Sequence, residues 1–166
     1  MMKIPSERLM YFISLVIIAL LLSATFYLEK YDGFIPCPLC ILQRITFGIL
    51  GVLFFVGMLL PNIKLARLLI SILAGLFSLF GIYLSGRQVW LQHLPADPNA
   101  DCGVSLQYLI KALPFDQAIA RIMQGTAECS QTGWEFLHLS LADWSLLCFI
   151  VFFGVCLLQL SRALRQ

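Results

Sequence analysis

Six cysteines carry most of the chemistry available to this 166-residue chain, and they fall into two groups. Four stand outside the long apolar runs and two lie within one: Cys37, Cys40, Cys102 and Cys129, then Cys148 and Cys156. Because cysteine is a small apolar side chain that buries readily, we interpret the last two as packing residues. The first four are the candidates for chemistry.

Three kinds of chemistry suit these four thiols: structural disulfides, a metal site and thiol–disulfide exchange. A metal site is disfavoured, because structural zinc sites present close ligand pairs, whereas Cys102 and Cys129 stand 27 residues apart. Structural disulfides stay open as an explanation. However, a bond between Cys37 and Cys40 closes a very small loop and contributes little stability. Such a bond suits opening and re-forming better than holding a fold.

Arg44 follows Cys40 by one helical turn, at the start of the second apolar run. A helix N-terminus presents unpaired N–H groups and partial positive charge, which favour a thiolate at Cys37 or Cys40. Residues four apart share a helix face. An arginine at the end of a span is commonly one that extends to the lipid headgroups. Because it lies beside a Cys-x-x-Cys pair, Arg44 is instead predicted to be the cation that stabilises a thiolate or a reduced, anionic cofactor.

The composition indicates a small membrane protein. Hydrophobic residues make up 60% of the chain and charged residues 12%, whereas soluble domains carry about 45–50% and about 25%. This excludes intrinsic disorder, and a net charge of +2 without a basic stripe argues against nucleic-acid binding.

Four runs of 18 to 20 residues contain no charged residue, at 9–28, 45–63, 68–86 and 144–161. Each can cross a hydrocarbon core of roughly 30 Å once as a helix.

We therefore predict an all-α membrane protein: one domain over residues 1–166, folded as a four-transmembrane-helix bundle. The predicted spans are about 9–28, 41–60, 67–86 and 144–161. Basic residues collect near both termini and the 61–67 turn, which predicts that these parts are cytoplasmic. The loops at about 29–40 and 87–143 would then lie on the oxidising side of the membrane, with all four candidate cysteines.

The long loop is predicted to contain a short amphipathic helix. Its apolar residues recur at helical spacing: Leu106, Leu109, Ile110, Leu113, Ile119, Ile122 and Met123. A stretch of this kind either lies in the membrane interface or packs on the ends of the protein's own helices.

Residues 36–44 (PCPLCILQR) resemble the signature of the DsbB family, the bacterial inner-membrane disulfide-bond formation proteins. Residues 90–92 (WLQ) and 128–137 (ECSQTGWEFL) also resemble segments of that family. The four spans and the cysteine pair in each outer loop extend the resemblance over nearly the whole chain. Some relatives carry a histidine where this chain has Arg87 and Gln88, which puts a proton-handling role there in doubt.

The resemblance implies a thiol oxidase that re-oxidises a periplasmic DsbA-like dithiol protein and passes two electrons to a membrane quinone, ubiquinone or menaquinone. By analogy, the partner attacks a Cys102–Cys129 disulfide at Cys102. Cys37 then exchanges with Cys129, which frees Cys40 as a thiolate against the quinone. Arg44 and Cys40 would form the quinone site.

The same resemblance places the chain in the bacterial inner membrane, in contact with the lipid bilayer. Four cysteines allow three pairings, and the resting pairing stays open. The alternative function is that of a membrane protein whose loop cysteines form structural disulfides or a metal site.

Overall fold

Four long helices make up most of the part of the chain that the computed structural model describes, which is residues 7–31, 37–60, 63–93, 114, 116–117, 120, 135–136 and 139–165. They are α1 (Glu7–Tyr31), α2 (Pro38–Leu59), α3 (Lys64–Gln92) and α4 (Leu141–Arg165). Each is long and apolar enough to cross a membrane. The predicted fold class, an all-α protein with four transmembrane helices, is confirmed. The amphipathic helix predicted near residues 106–123 falls largely outside the described residues.

The predicted spans can be compared with these bounds. Three of them, at 9–28, 67–86 and 144–161, lie inside a helix, whereas 41–60 extends one residue past the end of α2. The sequence did not predict a short antiparallel pairing of β1 (Glu135–Phe136) with β2 (Leu139–Ser140), which leads directly into α4. Two-residue strands contain too little alternation to be read from a sequence.

Local side-chain chemistry fixes where α2 and α4 begin. Cys37 is the N-cap of α2, and Pro38 occupies the first turn, where a missing N–H costs nothing. At the start of α4, Asp143 Oδ2 accepts from the Ser140 backbone N–H at 2.9 Å. In return, Ser140 Oγ accepts from the Asp143 N–H at 3.3 Å. This reciprocal pair is a capping box, and it orders the first turn of α4.

The helices pack mainly on their neighbours in the chain. The most extensive interface joins α3 to α4, followed by α2 with α3 and α1 with α2, whereas α1 and α4 touch over a short stretch. Ser140 Oγ donates to Gln92 Oε1 at 2.8 Å, so the start of α4 meets the end of α3. We call the end of the bundle where α1 and α3 finish and α2 and α4 begin the Cys37 end.

Phenylalanines from α2 and α4 fill the centre of the bundle. The rings of Phe47 and Phe149 stack with centroids 4.0 Å apart, and those of Phe54 and Phe152 meet edge to face at 5.8 Å. A Cβ at Gly81 of α3 would lie 2.4 Å from the Phe149 ring, so glycine is required for this approach. We call these five residues the aromatic middle. Its close packing joins α2, α3 and α4.

Large apolar side chains cover the outside of the bundle, among them Leu20, Val52, Leu76 and Leu164. An outer surface this apolar is typical of a protein that is solvated by lipid. At the Cys37 end, the buried side chains include two glutamines, Gln43 and Gln88.

Candidate functional site

Cys37 is held at the N-terminus of α2 with its sulfur directed back at the helix. Its backbone is extended (φ −66°, ψ 160°), and its Sγ accepts from the Cys40 backbone N–H at 3.4 Å. Its carbonyl accepts the first helical hydrogen bond, from Ile41 N–H at 3.1 Å. Only 2% of Cys37 is exposed. The sulfur therefore lies where the unpaired N–H groups of the helix stabilise negative charge.

Cys40 Sγ accepts hydrogen bonds from two side chains. The Cys37 thiol donates to it at 2.9 Å, and Gln88 Nε2 of α3 donates at 3.1 Å. Gln88 Oε1 accepts in turn from Gln43 Nε2 at 2.7 Å. The two sulfurs lie 2.9 Å apart, whereas a disulfide bond is about 2.05 Å long, so the pair is within reach of disulfide formation.

Arg44 lies one turn beyond Cys40 and reaches across to α1. Its guanidinium forms an ion pair with Glu29 and donates from Nη2 to the Thr25 carbonyl at 3.4 Å. It also lies over the Phe26 ring, 5.3 Å from the centroid, within cation–π range. The side chain of Arg44 is 15% exposed, against 40% for Glu29. These contacts hold the guanidinium of Arg44 in place against α1, one helical turn from Cys40.

A cavity of about 630 Å³ lies beside these groups. Its polar lining residues include Thr25, Cys40, Gln43, Arg44, Gln88 and Ser145. The rest of the wall is mostly apolar, and α1 and α4 supply most of it: Leu21, Leu22, Leu28, Leu141, Ala142 and Trp144. Ligand sites are typically apolar clefts of roughly 300–1,000 Å³ with a few converging polar groups. The cavity has the size and polarity of such a site.

The predicted site residues fall into two sets. Cys37, Cys40 and Arg44 come together at the Cys37 end, whereas Cys102 and Cys129 lie outside the described residues. The structure therefore brings together one cysteine pair and the arginine, and it does not describe the second pair. Within the described ranges, no group of three His, Cys, Asp or Glu side chains is placed to hold a metal ion.

Sequence reasoning missed three polar residues of the site: Glu29, Gln43 and Gln88. Glu29 lies in the predicted 29–40 loop, just after the first predicted span. Gln43 and Gln88 lie just outside the charge-free runs at 45–63 and 68–86, and Gln88 entered only as a position where some relatives carry a histidine. For Gln43, the available signal was a polar side chain within the predicted span 41–60, since such side chains are rare and usually functional or paired. The partners of the two glutamines, 45 and 48 residues away along the chain, have no local signature.

The two cysteines of α4 are in different surroundings. Cys156 is 2% exposed and belongs to the same buried cluster as Phe149 and Phe152, and Cys148 packs against that cluster. Neither lines the cavity. Their position agrees with their interpretation as packing residues.

Comparisons with known proteins identify a family that this chain resembles over most of its length. The family model described as "Disulfide bond formation protein DsbB" matches residues 6–159. A relative from Stutzerimonas stutzeri is 39% identical over 161 residues, which covers 97% of this chain and 99% of that protein. Relatives from Acinetobacter baumannii (40% over 142 residues, 85% and 83% covered) and Psychrobacter cryohalolentis (41% over 145 residues, 86% and 81%) are also similar. All three are named Disulfide bond formation protein B.

Proposed function

This chain belongs to the DsbB family of disulfide bond formation proteins, a family of membrane disulfide-forming oxidoreductases, and we propose that it oxidises a DsbA-like dithiol protein and reduces a membrane quinone. The observation that carries the proposal is the position of the Cys40 sulfur. It accepts two hydrogen bonds and lies on the wall of an apolar cavity that also contains Arg44.

The cavity suits a quinone on chemical grounds. A quinone has a flat ring with two carbonyl oxygens and an apolar tail. The guanidinium of Arg44 supplies donors for a ring oxygen, and the apolar residues of α1 and α4 suit the tail. Because α1 and α4 touch over a short stretch, a lipid-soluble molecule would enter between them. When bound, the quinone supplies the acceptor for two electrons and two protons.

The residues of the chain would act in a relay of disulfide exchanges. The DsbA-like dithiol reduces the Cys102–Cys129 disulfide and leaves as a disulfide. The resulting dithiol reduces the Cys37–Cys40 disulfide, with Cys37 as the sulfur attacked and Cys40 released as the thiolate. The helix N-terminus and the Gln88 amide stabilise that thiolate. The disulfide of Cys37 and Cys40 then re-forms as two electrons leave the pair.

The larger number of basic residues supports an orientation for this chemistry. On the described helices, five lie near the end opposite to the Cys37 end (Arg8, Lys64, Arg67, Arg162 and Arg165) and three lie near the Cys37 end (Lys30, Arg44 and Arg87). Since positively charged residues are retained on the cytoplasmic side, the Cys37 end faces the periplasm and both termini are cytoplasmic. The membrane is then the bacterial inner membrane, the one in which such a face meets an oxidising compartment.

A steady-state assay tests the proposal. The full chain is purified in detergent, supplied with ubiquinone or menaquinone and a reduced DsbA-like protein, and quinone absorbance is followed. We expect Cys40→Ser to lower turnover by about a thousandfold or more, because the electron-donating sulfur is lost. Cys148→Ala, outside the site, should keep the wild-type rate.

Two outcomes would overturn the proposal. If the wild-type chain reduces neither quinone, or if Cys40→Ser turns over like the wild type, the loop cysteines are structural. Stoichiometric zinc bound to those cysteines would favour the metal site instead.

A further inference from the structure

Two buried glutamines join α2 to α3 directly beside the Cys40 sulfur. Gln43 is 4% exposed and Gln88 is 5% exposed, so both amides are shielded from solvent. Gln43 Nε2 donates to Gln88 Oε1 at 2.7 Å, and Gln88 Nε2 donates to Cys40 Sγ at 3.1 Å. Because the Gln88 oxygen is taken by Gln43, the amide is oriented with its NH₂ group toward the sulfur.

A glutamine pair in a membrane span often serves only to hold two helices together. The third member of this chain of hydrogen bonds is a sulfur, however. A neutral thiol is a weak acceptor, whereas hydrogen bonds to an ionised group are about twice as strong. The Gln88 donor therefore favours the thiolate of Cys40 over its thiol or its disulfide.

We propose that Gln88 is a catalytic hydrogen-bond donor to the Cys40 thiolate, and that Gln43 is the positioning residue that orients it. This inference rests on the proposed function and deepens it. In the reduction of the Cys37–Cys40 disulfide, two electrons and one proton give the Cys37 thiol and the Cys40 thiolate. Stabilisation of this product makes the disulfide a stronger oxidant.

The donor has a property that a titrating side chain lacks. An amide carries no charge and keeps its donor at every physiological pH, whereas a histidine ring titrates near neutrality. The amide pair thus supplies a constant stabilisation of the reduced site.

The test is the redox equilibrium of the Cys37–Cys40 couple, which needs neither quinone nor protein partner. Full-length chains in detergent, with Cys102 and Cys129 replaced by alanine in every sample, are equilibrated anaerobically with glutathione redox buffers. Two glutathione thiols reduce the disulfide and leave as glutathione disulfide. Acid quenching and differential alkylation then give the reduced fraction of the peptide that contains Cys37 and Cys40.

We expect Gln88→Met, which keeps the side-chain length but has no donor, to lower the equilibrium constant for reduction about tenfold, or about 30 mV for a two-electron couple. Gln43→Met should lower it by a smaller factor, about threefold, because the Gln88 amide remains but is no longer oriented. Ser85→Ala is the matched control. It removes a buried hydrogen bond to Gly81 O one turn earlier on α3, and it should leave the constant unchanged.

A second measurement guards against variants that misfold. At one pH, the rate of Cys40 alkylation in the reduced chain should fall severalfold in Gln88→Met and stay at the wild-type value in Ser85→Ala, since the thiolate is the reactive form. Gln88→Leu provides a second donor-free variant for both measurements.

The inference and the proposed function fail in different ways. If the wild-type pair forms a reversible disulfide and both Gln88 variants match it in equilibrium constant and alkylation rate, the glutamines serve packing alone and the inference is wrong. If the wild-type pair forms no reversible disulfide, the proposed function is itself wrong.

Discussion

The Cys37 end and the aromatic middle are built from the same four helices, yet they provide opposite surroundings for cysteine. In the aromatic middle, the rings of Phe47 and Phe149 stack with centroids 4.0 Å apart and Gly81 is needed to admit them. Cys156 is 2% exposed and belongs to the same buried cluster as these rings. At the Cys37 end, the sulfur of Cys40 accepts hydrogen bonds and lines a cavity of about 630 Å³.

This difference shows that the groups around a cysteine sulfur determine its reactivity. A close-packed apolar interior excludes reagents and leaves a thiol inert, whereas donors and a helix N-terminus stabilise the reactive thiolate. The bundle tolerates the cavity at one end because the aromatic middle and the α3–α4 interface hold the helices together.

The largest expected effect is a difference in thiol reactivity between the two regions. In the reduced chain, Cys40 should react with iodoacetamide at least about a hundredfold faster than Cys156, because it combines access with thiolate stabilisation. Mass spectrometry of the two peptides over time gives both rates from one sample. Equal rates would show that the two surroundings do not differ as described.

Substitution of Arg44 is expected to affect the KM for quinone more than the KM for the protein partner. We expect Arg44→Ala to raise the KM for quinone about tenfold, since a charge-assisted hydrogen bond is lost. The KM for the DsbA-like partner should change little, because in the proposed relay that protein reacts with Cys102 and Cys129 and not within the cavity. Steady-state kinetics with each substrate varied in turn separate the two. Equal increases in both KM values would contradict the role given to Arg44.

A smaller effect is expected from Glu29, which acts through Arg44. Glu29→Gln removes the ion pair but leaves the guanidinium its contacts with Thr25 and Phe26. Since an ion pair with one exposed partner is worth little, the KM for quinone should rise only about threefold. Lys30→Gln, at the exposed neighbouring position, is the control and should leave it unchanged. An unchanged or lowered KM in Glu29→Gln would remove the positioning role.

Local rules explain which part of the site the sequence could predict. The N-cap position of Cys37 follows from where the apolar run begins and from Pro38 in the first turn. The shared face of Cys40 and Arg44 follows from their spacing of four. The four spans follow from charge-free runs that are long enough for a bilayer.

The remainder depends on how the helices pack, which spacing along the chain does not encode. Gln88 reaches Cys40 across 48 residues, and Arg44 reaches Glu29 across 15 residues and an intervening loop. The cavity is lined by residues of all four helices, and no single segment of sequence describes such a space. The sequence gives no sign that Gly81 must be a glycine, because that requirement comes from the Phe149 ring, which packs against it from another helix.

One single-turnover experiment tests most directly whether Cys40 gives electrons to a molecule dissolved in the bilayer. A full-length chain with Cys102 and Cys129 replaced by alanine is reduced, freed of reductant and mixed rapidly with quinone in the absence of oxygen. The account predicts that one quinone is reduced per chain and that the Cys37–Cys40 disulfide forms at the same rate. If the quinone stays oxidised while both thiols remain intact, the central claim is contradicted.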